Sequence, residues 1–167
     1  MSDTKTLIEL PGMIHSSVRR SVKKLIGPVC ARAYDFLPEN MAGKSVAGYV
    51  CIYGDYSDGG FPRIISLSPI GEVLPTSESF FFADEKAKRL SSHPTHVSSW
   101  QSRDKERKRY GGAIRAGALI LSFSGLPEWV DEALMVAVAA DMNRITEEEI
   151  ARVTRISENP LLQVVRG

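Results

Sequence analysis

Residues 110–139 read YGGAIRAGALILSFSGLPEWVDEALMVAVA. The spacing predicts strands over 112–115 and 118–123, with Ala116-Gly117 forming the tight turn between them. Pro127 then stands where a helix accepts proline, in its first turn, and Glu128, Asp131 and Glu132 fall near the positive helix start. The body of that helix, Trp129 to Ala140, is apolar almost all round, which predicts burial against a sheet.

The same residues exclude several chemistries. Gly112 and Gly117 have the G-x-x-x-x-G spacing of a phosphate loop, but Ala118 and Leu119 occupy the places of its lysine and hydroxyl. They also lie between two strands, where a phosphate loop needs a strand and a helix. Ser124 does not fit a nucleophile elbow, because Ser122 and Leu126 stand where glycines are required. Asp131 and Glu132 read as helix-start charges rather than paired catalytic carboxylates. Three acids at one helix start also argue against an anion there.

Working outward, residues 15–37 place Val18, Val22, Leu25, Val29, Ala33 and Leu37 at helical spacing. Arg19, Arg20, Lys23 and Lys24 flank that stripe, and Gly27-Pro28 predicts an interruption or kink. Residues 38–44 read as a turn, and SVAGYVCIYGDYSDGG as a strand ending in a turn. PRIISLSPIGEVLPT holds two short strand-like runs around Pro69-Ile70-Gly71, so an antiparallel meander is expected from 46 to 75. Residues 80–92 read as a helix, with acids early and Lys88 and Arg89 late, stopped by His93-Pro94. Within 103–109 five basic residues face two acidic ones, predicting a basic loop or short exposed helix. Thr146 and Glu149 form a capping box that starts a last helix carrying Ile150, Val153 and Ile156 on one face. Residues 158–167 read as a tail or edge strand. The order predicts an α+β fold in a single domain over 1–167, with one antiparallel sheet, an N-terminal helix, a middle helix and C-terminal helices.

At 167 residues the chain is long enough to hold a core without staples. Its formal net charge of +1 supplies no global field for nucleic acid or an anionic membrane. A nucleic-acid partner would have to use Arg19, Arg20, Lys23, Lys24 and the 103–109 cluster, which makes it a minor reading. Cys30 and Cys51 have no ligand or redox spacing and read as small core hydrophobes. No leader or membrane span is visible, so the expected compartment is the cytoplasm and no membrane partner is expected.

The chain has three histidines, His15, His93 and His96. That is thin material for a Ser-His-Asp triad. His93-Pro94-Thr95-His96 is the sharpest polar constellation. Two imidazoles three residues apart suit a metal or a haem iron, although no third ligand is fixed by spacing.

YGGAIRAGALILSFSGLPEWVDEAL resembles the hairpin and terminal helix of the haem-binding HbpS-like family, which includes GlcG proteins and the C-terminal domain of PduO. Gly111-Gly112, Ile114, Gly117, Ser124-Gly125, Glu128 and Asp131-Glu132-Ala133 occupy the pattern's places. Asp84-Glu85-Lys86-Ala87 and Pro94-Thr95 look like the family's K-A helix and the P-T that follows it. GYVCIYGDYSDGG resembles its first strand and D-x-x-G turn. The resemblance covers most of 15–140 and leaves 141–167 as an extension. It departs from the pattern at Ile120–Phe123, in the long 54–80 segment and in the basic 101–110 insert.

The resemblance implies a profilin-like α+β domain, a homo-oligomer, and binding of haem or another small molecule in an accessory role. The ligand-binding candidates are then Lys86, Thr95, His96, Gly111, Gly112 and Arg115. His93 and His96 are the candidates for a haem iron or metal, with His15 a further axial possibility. Lys86 or Arg115 would pair with haem propionates. The rival reading is a non-catalytic protein-interaction module with no small ligand. Catalysis stays open, because a family-level likeness does not locate chemistry.

Overall fold

The computed structural model describes residues 11–36, 46–54 and 63–164. The expected turns at 38–44 and within 55–60 lie outside those residues. The elements are α1 (Pro11–Arg32), β1 (Gly48–Gly54), β2 (Arg63–Ile70), α2 (Glu78–Ser91), β3 (Ala113–Ala116), β4 (Leu119–Ser124), α3 (Glu128–Asp141), α4 (Glu147–Ser157) and α5 (Leu161–Val164). The fold is α+β: one antiparallel sheet in the order β2-β1-β4-β3, with an N-terminal helix, a middle helix and C-terminal helices around it.

Strand alternation splits the core into two layers. Val50 and Ile52 of β1, Ile114 of β3 and Leu121 and Phe123 of β4 face α1, α3, α4 and α5. Tyr49, Cys51, Tyr53, Ala113 and Ile120 face α2 on the other side. Every residue of β1 and β4 is buried, as strands covered on both faces require.

The hairpin that opened the sequence reading is present. Ala116 pairs with Leu119, so the two-residue loop is Gly117-Ala118, one position later than the expected Ala116-Gly117. Gly117 has φ +60°, and a glycine with positive φ at the first loop position matches the right-handed twist of the strands. The outer side of β3 is closed by residues 97–98: Ser98 bridges Ile114, and the Arg115 N–H donates to Val97 O at 2.9 Å.

Several expectations need correction. α1 runs through Gly27-Pro28 without a break, and it starts at Pro11, a residue suited to a first helical turn. The cost of Pro28 is offset by the burial of Val29 and Cys30 immediately beyond it. The second strand-like run of the 46–75 meander is not a strand; the chain after Ile70 turns and leads into α2. Pro69 sits inside the ladder, opposite Tyr49, because β2 is an edge strand, the place where a residue without an N–H is tolerated. The Arg19 guanidinium donates to Pro69 O at 2.6 Å, tying α1 to that edge.

The 158–164 stretch is neither a tail nor an edge strand. Glu158 ends α4 with φ +51°, and α5 then buries Leu161 and Leu162. The capping box at Thr146 and Glu149 is formed in both directions, as read from the sequence. The Asn159 side-chain amide donates to Trp129 O at 2.8 Å and to Glu132 Oε1 at 3.1 Å, fastening the α4–α5 link to α3.

The basic 103–109 segment is a loop closed by an Asp104–Arg109 bridge, not a helix. Arg89 holds it against α2, donating to Glu85, to Ser99 O at 2.8 Å, to Ser102 Oγ and to Tyr110 O at 2.6 Å. Arg103 forks onto the Glu128 carboxylate and lies over the Trp100 ring at 4.4 Å. Of the segment's basic residues Arg103 turns inward, while Lys105, Arg107, Lys108 and Arg109 stay exposed.

Candidate functional site

Asp131 and Glu132 are not solvated helix-start charges. Both are essentially inaccessible, at 1% and 0% exposure. Glu132 accepts from Ser98 Oγ at 2.6 Å as well as from Asn159, so neutral donors satisfy it. Asp131 accepts from the Leu126 N–H at 3.1 Å and from Lys86 Nζ at 2.8 Å.

Lys86 is itself only 2% exposed, and it also donates to Phe123 O at 3.0 Å. It stems from α2 on one face of the sheet and reaches α3 on the other, passing the end of the β3–β4 hairpin. Gly112 makes that passage possible. With φ +121°, a Cβ there would sit 2.8 Å from both Asp131 Cβ and Lys86 Nζ.

The pair lies at the base of a cleft of about 460 Å³. The cleft opens between the first half of α2, the 103–110 loop and the crossover from β4 into α3. Phe82 and Tyr110 line it, meeting edge to face with ring centroids 5.3 Å apart, together with Leu126 and Pro127. Ser79, Ser124, Lys105, Glu78 and Glu128 complete its polar lining. The size is at the lower end of the range for small-molecule sites. Glu128 is already engaged by Arg103 and by the Gly111 N–H at 3.0 Å.

The structure divides the sequence-derived candidates between the two ends of α2. Lys86 lines the cleft, and Gly111 and Gly112 touch its lining, through the Gly111 N–H on Glu128 and the close approach of Gly112 to Lys86. His93, Thr95, His96 and Arg115 gather past the helix C-terminus, and none of them lines the cleft. Arg115 is occupied there, donating to His96 O at 2.9 Å, Leu90 O at 3.0 Å and His93 O at 3.1 Å. It therefore ties β3 to the end of α2 and to the turn that follows it.

The Thr95 side chain is exposed, and its carbonyl accepts a long 3.5 Å bond from Arg152. The His93 and His96 rings stack, with centroids 4.6 Å apart. His93 Nδ1 lies 2.8 Å from Arg89 O, so it carries the proton and leaves Nε2 with a free lone pair. A shallower depression of about 350 Å³ joins His93 to Lys88 and Arg109. His96 Nδ1 is buried without a partner, and desolvation, then the neighbouring His93, lowers its pKa. His15 is half-buried on α1 and belongs to neither concavity. Among the described residues no three His, Cys, Asp or Glu side chains gather in a way that holds a metal.

Sequence reasoning nominated Lys86 but missed Asp131, Phe82, Tyr110 and Ser124. One signal was present: Asp131-Glu132 sits inside a helix that is otherwise apolar all round, which places acids in a core. The thiols are the core residues they were expected to be. Burial, then Asp131, pushes Cys30 up to about 11, and burial, then Asp84, raises Cys51 further. Neither is a thiolate near neutral pH.

Burial pushes the Asp131 carboxyl up to about 7, Lys86 and the Leu126 N–H pull it down, and Glu128 pushes it up. Burial raises Glu132 as well. Both therefore hold protons in the folded chain at pH values where the unfolded chain has released them. The stability they contribute is fully present below the ordinary carboxylate range and is lost as pH rises through the folded values. The side-chain ¹³C signal of Asp131 is accordingly expected to titrate well above that range; an ordinary carboxylate midpoint rejects this.

No protein-family model, no curated protein and no solved structure matches this chain. Among the described residues no helix is long and apolar enough to cross a membrane.

Proposed function

We propose that this chain is a small-molecule-binding protein that works in an accessory role as a homo-oligomer. One observation carries the reading: a buried Lys86–Asp131 ion pair at the base of a cleft with aromatic walls. Burying two charges is costly and is weak as a device for stability. Beside a concavity, charged groups with a shifted carboxyl are the pattern of a binding or reacting site. The resemblance to the HbpS-like family, whose K-A and D-E-A places are Lys86 and Asp131, supports it from the sequence side. The test is a fragment screen by ligand-observed NMR. Hits are expected to be competed away by any cleft binder and to be lost in Tyr110→Ala and Phe82→Ala; a screen without hits rejects the reading.

Self-association is supported by Leu74, Phe80 and Phe81, which are exposed by 72%, 42% and 62%. Phe80 stands edge to face on Tyr49, and Tyr49 pairs with Pro69 of the edge strand, so this apolar ground adjoins the open side of the sheet. Light scattering is expected to show an oligomer for the native chain and a smaller species for the double variant F80S/F81S. A monomeric native chain would rule out the assembly.

Haem is the second reading, favoured by His93. Its free Nε2 would supply one axial ligand, and Lys88 and Arg109 would meet the propionates. Bound haem would supply iron chemistry and a Soret band. The expected signature is a Soret shift on titration that disappears in His93→Ala; an unshifted spectrum dismisses it.

A further inference from the structure

We propose that the group recognised at the base of the cleft is a carboxylate, carried on a small flat apolar body. The inference rests on the ligand-binding reading above and names its ligand class.

The donors decide it. An ammonium carries three N–H groups, and Lys86 spends two, on Asp131 Oδ2 and on Phe123 O. Since Lys86 lines the cleft while being 2% exposed, its third N–H is left for whatever fills that space. The Ser124 hydroxyl opens onto the same space and is bonded to no other group among the described residues. Lys105 stands at the cleft with no ion pair of its own among the described residues.

The acids that could repel an anion are already answered. Asp131 is held by Lys86, and Glu128 by Arg103 and the Gly111 N–H. Only Glu78, exposed at the start of α2, stands against it. Phe82 and Tyr110 present ring edges and faces suited to a planar body. Unspent donors on buried side chains select a strong acceptor, and a charged acceptor over a neutral one.

The experiment uses benzoate and its neutral isostere benzamide, titrated by calorimetry into the full chain. Benzoate is expected to bind more tightly than benzamide by about tenfold, the value of a hydrogen bond to a charged group. The paired variant K86M/D131L, which leaves no buried charge behind, is expected to abolish that preference while still binding benzamide. Should that variant fail to fold, two measurements on better-tolerated material replace it. The Lys86 side-chain ¹⁵N signal of the native chain is expected to shift with benzoate and not with benzamide, and Ser124→Ala is expected to weaken benzoate several-fold. Equal affinity for both probes, or a Lys86 signal unmoved by benzoate, overturns the carboxylate assignment and leaves the ligand-binding reading standing. Binding of neither probe overturns both.

Discussion

Lys86→Met is expected to destabilise the chain by about 3–5 kcal/mol, because it leaves Asp131 buried without its cation. For a chain of this length that is roughly 10 °C or more in Tm. The deficit is expected to widen as pH rises. Lys86 is the largest influence holding Asp131 down, and without it ionising that carboxyl inside the core costs more. The paired replacement K86M/D131L should regain most of the loss, since apolar groups of similar volume need no compensation. Urea denaturation of the two variants at pH 5 and pH 8 measures both effects. If the single variant were as stable as the native chain, or the paired one no better than the single, the pair would not be the buried ionic link described here. A stable paired variant that has lost the preference for benzoate would show that the charges serve the cleft.

Gly112→Ala carries the second large effect, about 3 kcal/mol or more. Its φ of +121° lies where side chains are strained, and its Cβ would press on the two groups of the ion pair. Neither contact is with a free side-chain end, since both partners are fixed by their own hydrogen bonds. Gly117→Ala is the internal control. It has φ +60° and nothing within 4 Å, so only the left-handed backbone cost of about 1–2 kcal/mol applies. Thermal unfolding of the two variants side by side checks the contrast. Equal losses would mean that backbone strain alone, not the crowding at the pair, accounts for Gly112.

Where a local rule sufficed, the sequence was read correctly. The two-residue hairpin loop, the capping box at Thr146 and the apolar character of α3 depend on neighbours within a few positions. Pro28 shows the limit of such rules. Its cost in the middle of a helix is local, but the burial that offsets it comes from core partners distant in sequence. The 158–164 segment was misread for the same reason. Leu161 and Leu162 form too short a run to declare a helix, and only contact with the main core settles their conformation.

The candidate site was half legible. Lys86 and the two glycines were nominated through a resemblance; Lys86 lines the cleft and the glycines touch its lining residues. The histidine group was nominated for its two imidazoles three residues apart, yet α2 carries it two turns away from Lys86, and none of it lines the cleft. Asp131 was set aside because acids in a first helical turn are ordinarily exposed and stabilise the helix dipole. That rule holds for a helix start in solvent, and α3 starts beneath the sheet's end instead.

The sequence by itself determined the α+β order, the hairpin, the helix caps and the identity of the buried helix, because periodicity and turn chemistry are local. Only the tertiary structure decided what the charged residues do. A carboxylate's environment depends on which helix lies across from it, and that partner, Lys86, is 45 positions away along the chain. Gly112 belongs to both accounts: its glycine is visible in the sequence, and the reason for it, a lysine passing from one layer of the fold to the other, is not.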